Sequence, residues 1–369
     1  MRGIDFGPPN LPFLRYLPRA AGHSSRVRGK EELIRIAVDG MGGDRAPAAV
    51  VDGTVQAARL LEEVEIVLVG QERRLSEELA RSKPIPSNLK IHHAPEVIGM
   101  GESPAISVRK KKDSSICEMV DLAKNKQVNA IISAGNTGAV VVAASLRLGL
   151  LEGIERPGIA ILIPSLKGPT LVLDVGANID PKPEHLLQYG LMGSVFMRHV
   201  VGRNNPSVGL LNVGEEESKG TDFIREAFKL LEESSLNFVG NVEGRDIYTG
   251  KCDVIVCDGF VGNVALKVSE GMAFALKELL IRELNRTMLN LLGAWLLRPS
   301  FNRLRRQMDY AEYGGAPLLG VDGACFICHG ASSAKAIRNA IRAAATFVTH
   351  EVNHHIVAAA HRTPREQVG

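Results

Sequence analysis

The chain has 369 residues, 45% hydrophobic and 23% charged, with a formal net charge of +3. That size and balance support a large core without disulfides, and the charge is too small to mark a nucleic-acid binder. One Trp and 5% aromatic residues exclude a stacking platform for single strands, and no stretch reaches the ~18 to 20 apolar residues that span a bilayer.

Residues 1–32 carry Pro8, Pro9, Pro12, Pro18 and several Arg without periodicity, which reads as a disordered extension. They hold no apolar run of a secretory signal, so the cytoplasm is the expected compartment. Residues 33–369 read as one α/β domain. Ile34–Val38 is a strand running into Asp39-Gly-Met-Gly-Gly-Asp44, and a helix follows to about Glu62. A strand at Glu65–Val69, a helix at Ser76–Arg81, a short strand at Leu89–His93 and a helix at Ser115–Asn125 come next. Gly158–Ile163 and Thr170–Asp174 flank a Lys167-Gly168 turn and read as an antiparallel hairpin. Elsewhere strand and helix alternate, which predicts a mainly parallel, doubly wound sheet.

Residues 270–312 depart from that rhythm. Leu276, Leu280, Leu284, Met288, Leu291 and Trp295 recur at helical spacing, predicting one long amphipathic helix ended by Pro299. A return helix over Phe301–Tyr310 would carry Arg303, Arg305 and Arg306. The apolar stretch with Leu292, Trp295 and Leu296 at its centre has two readings. It packs on the body or a second subunit, or it touches a membrane surface between basic flanks.

Cys325-Phe-Ile-Cys328-His329 formally matches a haem-attachment pattern, but that chemistry needs export, and zinc lacks a second ligand pair. The segment reads better as a buried strand entering a helix. No metal and no cofactor is expected. Walker A is absent, and Asp39–Asp44 lacks the dinucleotide spacing.

Four apolar segments run straight into Gly/Asn/Asp turns, beginning at Ala130, Leu171, Val208 and Val254. In a parallel sheet such turns share the carboxyl edge, where ligands bind. Glycine lets backbone N–H groups approach an anion, and a helix start offers unpaired donors. Gly135, Asn136, Thr137 and Gly138 after the first segment are therefore candidate anion ligands. So are Asp174 and Asn178 after the second, and Asp258, Gly259 and Gly262 after the fourth. Lys182 and His185 lie near a helix start, Asn212 follows the third strand, and Asn263 and Lys267 are four apart on one helix face. No serine elbow or metal cluster competes with this set.

In order, Asp39–Asp44, Ser133–Ala139, Asp174–Asn178, Lys182–His185, Asn212–Glu215, Gly240–Gly244, Cys257–Asn263 and Cys328–Gly330 resemble the phosphate acyltransferases of bacterial phospholipid synthesis. The resemblance runs from about Ile34 to His350. It implies a three-layer α/β/α fold like isopropylmalate dehydrogenase, a homodimer and a projecting helical hairpin. It also implies a reaction: inorganic phosphate attacks the thioester of acyl carrier protein, reversibly giving acyl phosphate. Lys182 or Lys267 would then offset phosphate charge, Asn212 and Asn263 would steady the oxyanion, and His185 would protonate the leaving thiolate. Two basic clusters, Arg109-Lys110-Lys111 and Arg303, Arg305, Arg306, would steer the acidic carrier. The apolar hairpin would bring the enzyme to the inner face of the plasma membrane and its downstream acyltransferase. The extension before Glu31 has no counterpart in the family.

Overall fold

The structure, a computed structural model, describes residues 33–308 and 314–361, with side chains left out over 305–308. The proposed extension over 1–32, the side chains of Arg305 and Arg306, and Tyr310 at the end of the expected return helix lie outside the described residues.

The chain begins with β1 (Ile34–Asp39), α1 (Ala48–Leu60), β2 (Val64–Gly70), α2 (Glu72–Leu79) and β3 (Leu89–His93). Next come α3 (Pro104–Lys110), α4 (Ser115–Lys124), β4 (Ala130–Ser133) and α5 (Thr137–Ala143), which runs on as a π-helical turn over Ala144–Leu148. The hairpin β5 (Gly158–Ser165) and β6 (Gly168–Leu173) leads to α6 (Pro183–His199), β7 (Ser207–Leu211) and α7 (Asp222–Glu232). Then follow β8 (Asn237–Val242), α8 (Asp246–Thr249), β9 (Val254–Val256) and the long helices α9 (Gly259–Leu284) and α10 (Met288–Met308). β10 (Ala316–Leu319), β11 (Ala324–Ile327), α11 (Ala334–Thr349) and α12 (Val352–Ala360) complete it.

The eleven strands among the described residues join one sheet in the order β3-β2-β1-β4-β11-β10-β5-β6-β9-β7-β8. From β3 to β11 every pair is parallel. β10 is antiparallel to both neighbours, and β6 is antiparallel to β5. β9, β7 and β8 then follow β6. The two parallel blocks of the sheet therefore point in opposite directions.

Strict alternation along the strands gives each face its own core. Val38, Ile132, Phe326, Leu162, Leu171 and Val254 pack with α1, α6, α7, α11 and α12 on one side. Ile131, Cys325, Ile159, Val172 and Ile255 pack with α4, α5, α8 and α9 on the other. The result is the expected three-layer, mainly parallel α/β/α arrangement. Full burial of each Val, Leu, Ile or Phe side chain among these contributes about 1.5–3 kcal/mol.

The hairpin breaks where the sequence pattern does not predict it. The apolar repeat runs on past residue 285, but the first helix stops at Leu284 and Pro299 lies inside the second. Thr287 explains the break: its Oγ1 accepts the Asn290 N–H at 3.1 Å, the geometry of a helix N-cap. Asn290 Nδ2 also donates to the Glu283 carbonyl at 2.9 Å, tying the second helix back to the first.

Candidate active site

Because the sheet reverses, the Gly/Asn turns do not share one edge. The turns after β1, β4 and β11 lie on one edge, and those after β6, β7 and β9 on the opposite one. The expected single convergence is thus two separate mouths.

At the β4 mouth the polar groups are held by the protein itself. Asn136 caps α5, its Oδ1 accepting the Ala139 N–H at 3.0 Å. Its Nδ2 donates to the carbonyls of Gly99, Met100 and Glu102 at 3.0–3.2 Å. Gly138 sits against Pro104, where a Cβ would come within 2.6 Å of the proline ring. Gly135 donates its N–H to Ser133 Oγ at 3.0 Å, and Ser133 in turn donates to the buried Asp39 carboxylate at 2.7 Å. Burial raises the Asp39 pKa against these hydrogen bonds. Only Thr137 of this group is open to solvent.

At the β6 mouth, Asp174 is fully buried at the strand end. Oδ1 accepts N–H groups from Ile159, Gly176 and Ala177 at 2.9–3.0 Å. Oδ2 accepts from Ala177 at 3.0 Å and Asn178 at 2.7 Å. The backbone nest that resembled a phosphate cradle is therefore filled by a carboxylate of the chain. Burial pushes the Asp174 carboxyl up, while the four donors oppose that shift by favouring the anion. Asn178 donates from Nδ2 to Tyr189 Oη at 2.8 Å and to the Pro157 carbonyl. Tyr189 is held well above the usual phenol range, by burial first and by the charge of Asp174 second.

The α9 start presses onto this turn. Asp258 caps α9 by accepting the Val261 N–H at 2.8 Å, and Gly259 donates to the Asn178 carbonyl at 2.8 Å. A Cβ on Gly262 would stand 1.9 Å from the Asp174 carbonyl oxygen. Asp258, Gly259 and Gly262 thus have packing and capping roles that do not require a ligand.

Four candidate side chains remain accessible to solvent. Asn263 is exposed, its Nδ2 3.5 Å from where a Cβ on Gly176 would stand, and its amide has no partner among the described residues. Lys267, one turn along α9, is exposed and bridges to Glu270 at 2.8 Å. Lys182 is exposed at the start of α6. Asn212 is half-buried and donates to the Lys219 carbonyl at 3.2 Å.

His185 points elsewhere. It is 5% exposed, and its Nδ1 accepts the Lys182 N–H at 2.9 Å, so the neutral ring carries its proton on Nε2. Nε2 faces Glu155 Oε2 at 3.3 Å. Glu155 carries no motif around it in the sequence, and only the fold brings it to His185. Gln188 Oε1 accepts the Glu155 N–H at 2.9 Å and steadies the same loop.

No thiol competes as a nucleophile among the described residues, whose five cysteines are all buried and free. Burial pushes Cys252, Cys325 and Cys328 up to about 12, and Cys257 well above its usual value.

Arg109 and Lys110 end α3 exposed, whereas Lys111 turns inward to the Val97 carbonyl at 2.7 Å and Glu102 at 2.6 Å. Arg303 is exposed and donates to Ser300 Oγ at 2.9 Å. Leu292, Trp295 and Leu296 are 54%, 66% and 64% exposed on α10, with Phe274, Leu276 and Leu279 also open on α9. No helix among the described residues is long and apolar enough to cross a membrane.

A family model described as "Fatty acid synthesis protein" matches residues 34–355. The chain is 50% identical over 327 residues to a phosphate acyltransferase of Syntrophotalea carbinolica, covering 89% of this chain and 94% of that one. It is 51% identical over 320 residues to one of Geotalea uraniireducens, covering 87% and 92%. Among solved structures, a phosphotransacetylase from Streptococcus pyogenes superposes with a TM-score of 0.58 at 16% identity, covering 86% of this chain and 94% of that one, which shows a shared fold. The chain is an acyltransferase, and it belongs to the phosphate acyltransferase family.

Proposed function

We propose that this chain transfers a fatty acyl group from acyl carrier protein to inorganic phosphate. A phosphate oxygen attacks the thioester carbonyl, the C–S bond breaks, and acyl phosphate and the carrier thiol leave. The reading is carried by identity of about half to phosphate acyltransferases over most of the chain. The β6 mouth supports it with open donors beside a rigid turn. Lys182 and Lys267 offset the phosphate charge, while Asn263 and Asn212 donate to the oxyanion that forms at the carbonyl. Asp174, Asn178, Asp258, Gly259 and Gly262 hold the turn that places them. A thiolate leaves readily, so the buried His185 is needed as the helix-start partner of Lys182 more than as an acid.

Arg109 and Lys110 form a basic surface for the acidic carrier, and Arg303 adds to the charge on the hairpin. The open apolar residues of α9 and α10 suit a second copy of the chain, and those at Leu292, Trp295 and Leu296 suit the inner face of the plasma membrane. There, acyl phosphate would pass to a membrane acyltransferase of phospholipid synthesis.

The test incubates full-length protein with palmitoyl-acyl carrier protein and phosphate, without nucleotide or metal. Phosphate-dependent release of carrier thiol and acyl phosphate is the expected result; no release at any phosphate concentration removes the reading. Asn263→Ala and Lys267→Ala should each raise the phosphate KM or lower kcat at least tenfold while circular dichroism stays that of the wild type. Wild-type kinetics in both would take this turn out of the site.

A further inference from the structure

The helix layers cover the two faces of the sheet unequally. On the α6 side the central strands are sealed, with Ala160, Leu171 and Leu319 fully buried and Leu162 nearly so. On the α5 side, Ile161 in the middle of β5 is only partly buried, although Ile159 and Ile163 beside it are 5% and 9% exposed. β5 is an interior strand between β10 and β6. The exposure of Ile161 therefore comes from a gap between helices and not from an edge of the sheet.

The walls of this gap are apolar. Val142 of α5, Leu148 of the π-helical turn, and Ala265 and Leu266 of α9 are all partly exposed and packed against the same core as Ile161. Leu148 reaches toward the start of β11, within 3.2 Å of where a Cβ on Gly323 would stand. Single π-helical turns are rare and concentrate at functional sites, because they displace side chains from the regular helical row.

One end of the gap meets the β6 mouth. Ala177 belongs to the same partly buried apolar set and lies between Gly176 and Asn178 in the turn beside Asn263. Ile159 donates its N–H to Asp174 at the base of that turn. Ile161 is two residues further along β5, about 7 Å away at the ordinary strand rise. Polar donors and an apolar floor thus adjoin over a distance that a few methylene groups span. A small hydrophilic acyl group would need the donors alone; the uncovered isoleucine beside them suits a long alkyl chain.

We propose that this gap binds the alkyl chain of the acyl donor, with the carbonyl at the Gly176–Asn263 turn and the chain running over Ile161 between Leu148 and Leu266. The inference rests on the acyl-transfer reading and adds the place of the chain. Val142→Trp and Ile161→Trp fill the gap from its wall and its floor, and neither residue belongs to the donor set.

Two readouts test it. Wild-type protein should bind a fluorescent sixteen-carbon fatty acid saturably, and each variant should bind it at least tenfold more weakly. In turnover with phosphate, kcat/KM for palmitoyl-acyl carrier protein should fall at least tenfold in the variants, and that for butyryl-acyl carrier protein less than twofold. Circular dichroism identifies a variant that fails to fold, and Val142→Trp, on a helix surface, then carries the test alone. An unchanged affinity and an unchanged long-to-short ratio in a folded variant overturn the proposal, as does a wild type that does not bind the fatty acid. Loss of fatty-acid binding as protein concentration rises would assign the gap to a second copy and overturn it too. Fatty-acid binding with no turnover of any thioester would remove the acyl-transfer reading and leave the chain site standing.

Discussion

Two strands of this sheet end in a buried aspartate, and the two are held in different ways. Asp39, at the end of β1, takes hydroxyls from Ser133 and Ser115 and two backbone N–H groups, from Met41 at 3.1 Å and from Gly42. Asp174, after β6, takes four backbone N–H groups and no side-chain donor. A serine hydroxyl can rotate to another acceptor if its partner is lost. Backbone amides fixed in a tight turn cannot, and each one left buried and unpaired costs about 1–3 kcal/mol. The β1 and β4 edge is therefore built to tolerate change, while the β6 edge depends on one carboxylate. That dependence suits a mouth whose neighbouring donors must keep fixed positions.

The largest expected break in this contrast is Asp174→Ala, which should destabilise the fold by about 4 kcal/mol in urea unfolding, against about 2 kcal/mol for Asp39→Ala. Equal losses at the two sites would end the distinction. Gly262→Ala comes next: its Cβ meets backbone at 1.9 Å, whereas a Cβ on Gly135 meets side-chain oxygens of Asp39 and Ser133 at 3.1 Å and backbone only at 3.4 Å, the Gly42 Cα. We expect about 3 kcal/mol for Gly262→Ala and about 1 kcal/mol or less for Gly135→Ala, read as shifts in thermal midpoint. Asn136→Ala removes a helix cap and three carbonyl partners and should cost about 1–2 kcal/mol. Its phosphate KM should stay near that of the wild type, because its amide faces the 99–102 loop; a large rise in KM would return phosphate to the β4 mouth.

The smallest effect is one of pH. Glu102 is lowered to about 2, first by its hydrogen bond with Lys111 and then by those from Gly99 and Ser107. A depressed carboxyl contributes stability in full above its unfolded pKa, and that contribution is lost as pH falls through the folded value. The 99–102 loop should thus lose protection from hydrogen exchange as pH drops from about 4.5 toward about 2. Glu102→Gln should flatten that profile, and an identical profile in the variant would remove the ion pair from the account.

Much of the fold was legible in local pattern. The β5–β6 hairpin followed from two alternating segments round Lys167-Gly168, and Ile34–Asp39 from an apolar run into glycine. The net reversal of the sheet comes from that hairpin, since β10 is antiparallel to both β11 and β5 and leaves those two pointing the same way. What local pattern did not show is the four-residue strand Ala316–Leu319, inserted between strands distant in sequence. Nor did periodicity show the hairpin break, since the apolar repeat continues across Thr287 and Pro299 gives the stronger signal. At the mouths the difficulty was chemical. Asn136 and Asp258 are residue types that cap helices and also bind anions, and only their hydrogen-bond partners separate the two uses. Asn263 and Lys267 were singled out by spacing, and the fold leaves both exposed.

The placement of β11 has a consequence for how the protein is made. β4 pairs in parallel with β11, joining residues 130–133 to 324–327. During synthesis at roughly 5–20 residues per second, β4 would wait on the order of ten seconds or more for its partner strand to be made. Through that interval the first parallel block keeps an apolar edge open to stray strands. The second block, from β5 to β9, draws all its strands from residues 158–256, and only its β5 edge waits in turn for β10 at 316–319. Newly made chains should therefore be most vulnerable to aggregation along β4 and β5, and a helper protein that shields Ala130–Ser133 and Gly158–Ser165 would act where delay is built into the order of the strands.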